Sequence, residues 1–132
     1  MTSAGTTADR PTVLVADDEP DIRELARVLL EMDGFDVVAE AADGAQAVER
    51  YVELDPPPVP SVVLLDNRMP RLTGLDAAEQ ILTHRPEQLV VLFSAHLDPS
   101  VTIRARELGV AACVSKVDTA KLPRILRGLL GD

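Results

Sequence analysis

Carboxylates, a hydroxyl and an amine stand at the carboxyl ends of short apolar runs. Asp17 and Asp18 follow Val13-Leu14-Val15-Ala16, and Asp66 follows Val62-Val63-Leu64-Leu65. Ser94 follows Leu89-Val90-Val91-Leu92-Phe93, and Lys116 follows the run from Ala111 to Ser115. Three carboxylates drawn together repel one another and raise one another's pKa. A hard divalent cation relieves that repulsion, and all-oxygen ligation that leaves room for waters suits Mg²⁺. Taken alone, Asp17-Asp18 is explained equally well as the N-cap and first-turn acid of a following helix. Asp66 fits that explanation less well, because Met69-Pro70 and Thr73-Gly74 delay the next helix. Lys116 and Lys121 are the only lysines. At a strand end facing acids, Lys116 reads as an ion-pair partner or a phosphate clamp.

The elements that must position these groups are legible. Thr12–Ala16, Val37–Ala41, Val62–Leu65, Leu89–Phe93 and Ala111–Ser115 are short Val- and Leu-rich runs, as in strands buried on both faces. Between them lie helical patterns. The first opens at Pro20-Asp21, turns Ile22, Leu25, Leu29 and Met32 to one face and stops at Gly34. The second opens at Asp43-Gly44 with Ala45, Val48 and Val52 inward. The third runs from about Leu75 to His84 with Ala78, Ile81 and Leu82 inward, and Pro86 stops it. The fourth runs from Pro99-Ser100 to Gly109 through Val101, Ala105 and Leu108. The last is capped near Asp118 or Thr119 and carries Leu122, Ile125, Leu126 and Leu129. Strict alternation of strand and helix predicts an α/β fold with a doubly wound parallel sheet. In such a sheet, ligands bind outside the carboxyl ends of the strands. Residues 1–11 read as a disordered tail before a domain over residues 12–131, and Asp55-Pro-Pro-Pro-Val-Pro60 reads as a stiff loop rather than a polyproline ligand.

Composition excludes several functions. A chain of 132 residues suits one domain with its own core. Lys plus Arg is 13 against 22 Asp plus Glu, a net charge of −9, which ill suits a phosphate backbone. Aromatic residues are limited to Phe35, Tyr51 and Phe93, so no stacking platform for bases is expected. Direct nucleic-acid binding is therefore not expected. Cys113 stands alone, reads as a small buried or half-buried side chain, and fits a reducing cytoplasm. No apolar stretch approaches the ~20 residues of a spanning helix, so no membrane is expected. His84 and His96 lack metal-ligand spacing. Arg23, Arg27, Arg104 and Arg106 read as solvated helix faces.

Taken together, Asp17-Asp18-Glu19, Leu65-Asp66-Asn67-Arg68-Met69-Pro70 with Gly74, Phe93-Ser94-Ala95 and Lys116 resemble the receiver domain of bacterial two-component response regulators, of the chemotaxis-regulator kind. The resemblance runs from about Thr12 to Leu130. It implies a flavodoxin-like fold with strand order 2-1-3-4-5 and five helices. It implies that Asp66 is the phospho-acceptor, served by a sensor histidine kinase or a histidine phosphotransfer protein. Asp18 would ligate Mg²⁺ directly, Asp17 would hold metal-bound water, and Asp66 and the backbone carbonyl of Arg68 would complete the protein's share. Ser94 would turn inward to the phosphoryl group and Lys116 would pair with it. An output domain or protein target would meet the face made by the fourth helix, fifth strand and fifth helix.

The chain departs from the family pattern at Val117, where a proline after a cis bond is usual, at Cys113, where an aromatic switch residue is usual, and at Ser61, where an acid is usual. A cis bond before a non-proline residue costs ~2.5–4 kcal/mol, so Lys116-Val117 is expected trans. With no ring at position 113, the motion of Ser94 is expected to reach partners through Ala95-His96-Leu97-Asp98 and the start of the fourth helix, near Ile103 and Arg104. A rival reading of the same acids is a small aspartate-based, Mg²⁺-dependent phosphohydrolase. That enzyme would want a second acid near the nucleophile, and Asn67-Arg68-Met69 supplies none. The sequence stops at Asp132, which suits a single-domain regulator and part of a longer transcription factor alike.

Overall fold

The computed structural model describes residues 10–54 and 58–131. The expected tail up to residue 9 and residues 55–57 of the proline-rich insert lie outside them. In chain order the elements are β1 (Thr12–Ala16), α1 (Pro20–Met32), β2 (Asp36–Ala41), α2 (Gly44–Glu53), β3 (Val62–Leu65), α3 (Gly74–His84), β4 (Val90–Ser94), α4 (Pro99–Leu108), β5 (Ala112–Ser115), a 3₁₀ turn (Lys116–Lys121) and α5 (Leu122–Leu130). The strands form one parallel sheet in the order β2-β1-β3-β4-β5.

Period-two alternation sorts each central strand between two cores. Leu14, Ala16, Val63, Leu65, Val90 and Leu92 face α2 and α3, where they meet Ala47, Tyr51, Ala77, Ala78 and Ile81. Val13, Val15, Val62, Leu64, Val91 and Phe93 face α1 and α5, where they meet Ala26, Leu30, Leu122 and Leu126. β3 and β4 are buried throughout, which is why they read as apolar runs, broken only by Ser94 at the carboxyl end of β4. β2 and β5 are the sheet edges and are only partly buried.

Two helix faces differ from the sequence expectation. On α1 the buried residues are Ala26 and Leu30, while Leu25 is 43% and Met32 80% exposed. Small Ala26 lets the helix approach the sheet, Ile22 packs against the core as expected, and Leu25 and Met32 turn outward. On α2 the buried residues are Gly44, Ala47 and Tyr51, Val48 packs against the core as expected, and Val52 is 47% exposed. Tyr51 can be buried because its hydroxyl donates to Gln88 Oε1 at 2.7 Å. A Cβ on Gly44 would lie 2.1 Å from the Leu72 carbonyl oxygen, so only glycine lets α2 begin against the loop after β3. The start of α5 also differs: neither Asp118 nor Thr119 caps it. Thr119 donates instead to the Lys116 carbonyl, and α5 starts after the 3₁₀ turn with Pro123 in its first turn.

Candidate functional site

The carboxyl ends of β1, β3, β4 and β5 surround a cleft of about 310 Å³ lined by Asp18, Glu19, Asp66, Arg68, Ser94, Ala95, His96 and Lys116. Strand order explains the convergence, because β3 lies between β1 and β4 and β5 borders β4. The loop after β3 is drawn tight: Gly74 N–H donates to the Asn67 carbonyl at 3.0 Å, and Leu75 N–H to Asn67 Oδ1 at 3.1 Å. A Cβ on Gly74 would lie 2.3 Å from the Asp66 carbonyl oxygen, so the glycine in the sequence motif is what lets α3 start directly over the strand end. Arg71, in the same loop, takes a positive φ of 71° and pairs with Asp43 at 3.3 Å.

Lys116 is the hub. Its Nζ lies 2.8 Å from Asp17 Oδ2, 3.4 Å from Glu19 Oε1 and 3.5 Å from Asp66 Oδ2. Asp17 and Asp66 are 2% and 3% exposed, whereas Asp18 and Glu19 are open to solvent. Burial, followed by the neighbouring Asp17 charge, pushes the Asp66 carboxyl up to about 6, against the opposing pull of Lys116. Burial works against the Lys116 ammonium, yet its hydrogen bond and charge attraction to Asp17, with the Asp66 charge, leave its pKa above the ordinary value. The carboxylate oxygens of Asp17, Asp18 and Glu19 lie within 4.8 Å of one another. Asp66 Oδ1 accepts from Arg68 N–H at 3.4 Å, and Ser94 Oγ accepts from His96 N–H at 3.2 Å.

All the strand-end residues singled out in the sequence thus border one place. Asp17 does so from beneath, since its side chain reaches the cleft only through Lys116 and is absent from the lining. Sequence reasoning passed over Glu19, His96 and Asn67 as site residues. The signal for Asn67 was its type, a helix-capping amide beside the acid. His96 gave none beyond its position two residues after Ser94. Arg23, read as solvated, donates from Nη1 to the Asp17 carbonyl at 2.6 Å and from Nε to Glu40 at 3.2 Å. A larger groove of about 660 Å³ between α1 and α5, lined by Leu29, Met32, Pro123 and Arg124 among others, holds none of the strand-end groups.

Comparison with known proteins agrees with this geometry. The sequence model of the Response regulator receiver domain matches residues 13–127. The transcriptional regulatory protein PdtaR of Mycobacterium tuberculosis is 41% identical over 120 residues, which span 88% of this chain and 56% of that protein's length. The chemotaxis protein CheY of Thermotoga maritima is 31% identical over 104 residues, 79% of this chain and 83% of that one. Among solved structures, a two-component response regulator of the LuxR family from Aurantimonas sp. SI85-9A1 superposes with a TM-score of 0.82 at 30% identity, covering 90% of this chain and 84% of that one. With a family match over nearly the whole chain and a parallel sheet in the order β2-β1-β3-β4-β5, the chain belongs to the response regulator receiver domains, phospho-accepting modules of two-component signalling.

Proposed function

We propose that Asp66 is the residue phosphorylated, that a sensor histidine kinase or a histidine phosphotransfer protein is the donor, and that Mg²⁺ is the cofactor. The observation that carries the reading is the placement of Asp66 in a cleft it shares with Asp18 and Glu19, 3.5 Å from an ammonium it shares with Asp17. An Asp66 oxygen attacks phosphorus, the bond from phosphorus to the donor imidazole nitrogen breaks, and that nitrogen keeps the bonding pair. No base is needed, because the nucleophile is already a carboxylate at neutral pH. Charge developing on the three equatorial oxygens is met by Lys116, by the Ser94 hydroxyl once released from His96, and by the Ala95 N–H at the rim.

The residues present fit a divalent cation. Asp17 Oδ2 is buried, and among the described residues the ion pair with Lys116 is its sole polar contact. Asp18 and Glu19 add oxygens within 4.8 Å, and hard oxygen donors in a solvent-open set suit Mg²⁺. Asp18 and the Arg68 carbonyl would ligate it directly, Asp66 would share it, and Asp17 would hold its water. When bound it neutralises the acids and shields the incoming phosphoryl charge.

The receiver over residues 12–131 passes the signal to a protein partner or output domain through the face of α4, β5 and α5. The described residues contain no helix long and apolar enough to cross a membrane, and the reading places the domain in the cytoplasm. Phosphohydrolase activity is disfavoured because Asn67, which follows the nucleophile, is an amide whose Oδ1 is committed to Leu75 N–H. The test is incubation with acetyl phosphate and Mg²⁺, read by intact mass. One phosphoryl group should add to the protein and none to Asp66→Asn; labelling undiminished in that variant would overturn the assignment, and turnover of an external phosphoester would revive the phosphohydrolase.

A further inference from the structure

We propose that Arg23 is a positioning residue for the acid pair: from the first turns of α1 it clamps the Asp17 backbone carbonyl, with Glu40 on the edge strand β2 holding the guanidinium in place. The proposal rests on the reading that Asp17, Asp18 and Asp66 share a magnesium ion. Three backbone or side-chain ties fix the turn after β1. Asp17 N–H donates to the Ala41 carbonyl at 3.0 Å, Asp17 Oδ1 accepts from Glu19 N–H at 2.9 Å, and the Asp17 carbonyl accepts from Arg23 Nη1 at 2.6 Å. Only Oδ2 is left, and it lies 2.8 Å from Lys116 Nζ. Of these ties, the arginine is the one that sequence can delete without touching an acid.

Arginine suits the task. Its planar fork offers donors in fixed directions, so one guanidinium can hold a carbonyl through Nη1 and a carboxylate through Nε at 3.2 Å. The two side chains are 21% and 30% exposed, so the pair is partly shielded from water. Arg27 also pairs with Glu40, but its other ion-pair partner is Glu31 and it contacts no residue of the cleft among the described residues. Glu40 is thereby pinned by two arginines, of which only one touches the acid turn.

The sign of the effect separates positioning from charge. A cation near a divalent-metal site opposes metal binding by Coulomb repulsion. If Arg23 acted by charge alone, removing it would tighten Mg²⁺ binding. A clamp predicts the reverse, because the freed turn lets Asp17 and Asp18 leave their places, and loss of an outer-shell partner costs about 10-fold in metal affinity at the low end.

Calorimetric Mg²⁺ titration of the phosphate-free protein, with melting temperature followed in parallel, tests this. Arg23→Ala should bind Mg²⁺ about 10-fold more weakly, Arg23→Lys should recover part of the loss, and Arg27→Ala should match the parent. Tighter or unchanged binding in Arg23→Ala overturns the clamp, as does an equal loss in Arg27→Ala. Should Arg23→Ala not fold, Arg23→Lys carries the test, and parental affinity there overturns the proposal. A parent protein that gives no Mg²⁺ response refutes the metal reading itself, a result distinct from any difference between variants.

Discussion

The two flanks of β5 are built on opposite terms. At its carboxyl end Lys116, with a side chain 10% exposed, is held among Asp17, Glu19 and Asp66. On the flank toward α4, half-buried Cys113 borders a cavity of about 320 Å³ that is also lined by Thr102, Ala105, Arg106 and Val110. α4 buries only Ala105 among its residues, and Ile103 is 57% exposed. Burial holds the Cys113 thiol above its ordinary pKa, against the opposing Arg106 charge, so it stays protonated and inert. The acid end is over-determined by charge and backbone ties, whereas the α4 flank is loosely filled. The two flanks should therefore respond unequally to substitution.

The largest difference is expected from removing one cation on each side. Breaking a buried ion pair by deleting one partner costs ~3–5 kcal/mol, because the other charge is left buried. Proton uptake by Asp66 returns part of that, so Lys116→Ala should lose on the order of 2–3 kcal/mol at pH 7 in denaturant titration. Arg106, exposed and without an ion-pair partner among the described residues, should change stability by less than about 0.5 kcal/mol as Arg106→Ala. Equal losses would erase the contrast.

Next in size is the cost carried by Asp66 itself. Its folded pKa of about 6 stands above the unfolded value of 3.8. Between those values the folded state keeps a proton that the unfolded chain has lost, so stability is full below the window and falls as pH rises through it. At pH 7 without Mg²⁺, Asp66→Asn should therefore be more stable than the parent by on the order of 2 kcal/mol, and the gap should close near pH 4. Millimolar-range Mg²⁺ should raise the parent's melting temperature and leave Asp66→Asn much less affected. A parent with a flat profile from pH 4 to 7 would show that the acids do not strain the metal-free fold.

Much of this arrangement could be read from sequence, for a physical reason. A parallel strand buried on both faces must be a short, continuous apolar run, so Val62–Leu65 could be placed, and Asp66 at its end could be placed with it. Strand order then followed from the resemblance. What escaped was whatever depends on side-chain reach across the fold. The inward face of α1 hinged on Ala26, which adds little to an apolar pattern but sets how near the helix can lie. Arg23 looked solvated because nothing local shows that the Asp17 carbonyl, six residues back, lies within its reach. The start of α5 was misread because Thr119 looks like a cap until its hydroxyl is seen to be taken by Lys116.

A smaller effect should come from filling the loose flank. Cys113→Phe places a ring where the cavity already lies, so the overpacking cost of ~1–3 kcal/mol seen in tight cores should shrink to below about 1 kcal/mol. Acetyl phosphate labelling should keep the parental rate, since no group in the cleft is touched. A loss of several kcal/mol would mean that the flank is packed as tightly as the acid end.

The subtlest test asks how the two flanks communicate. Ser94 Oγ accepts from His96 N–H at 3.2 Å, and the loop it steadies ends at Asp98, whose carboxylate accepts from Val101 N–H at 3.1 Å to cap α4. On the proposed function, a turn of the hydroxyl to a phosphoryl oxygen would take the acceptor from His96 N–H. An unpaired amide in a partly shielded turn is costly, so the loop must shift to solvate or re-pair it. The expected shift would pass through the Asp98 cap to the first turns of α4, a path that requires no ring at position 113. Beryllofluoride with Mg²⁺, which mimics the acyl phosphate, should move amide resonances at residues 95–98 and along α4 to about Arg106. In Ser94→Ala the changes should persist around Asp66 and Lys116 but vanish from α4. Shifts confined to the acids in the parent, or an α4 response untouched by Ser94→Ala, would leave the loop with no part in signalling.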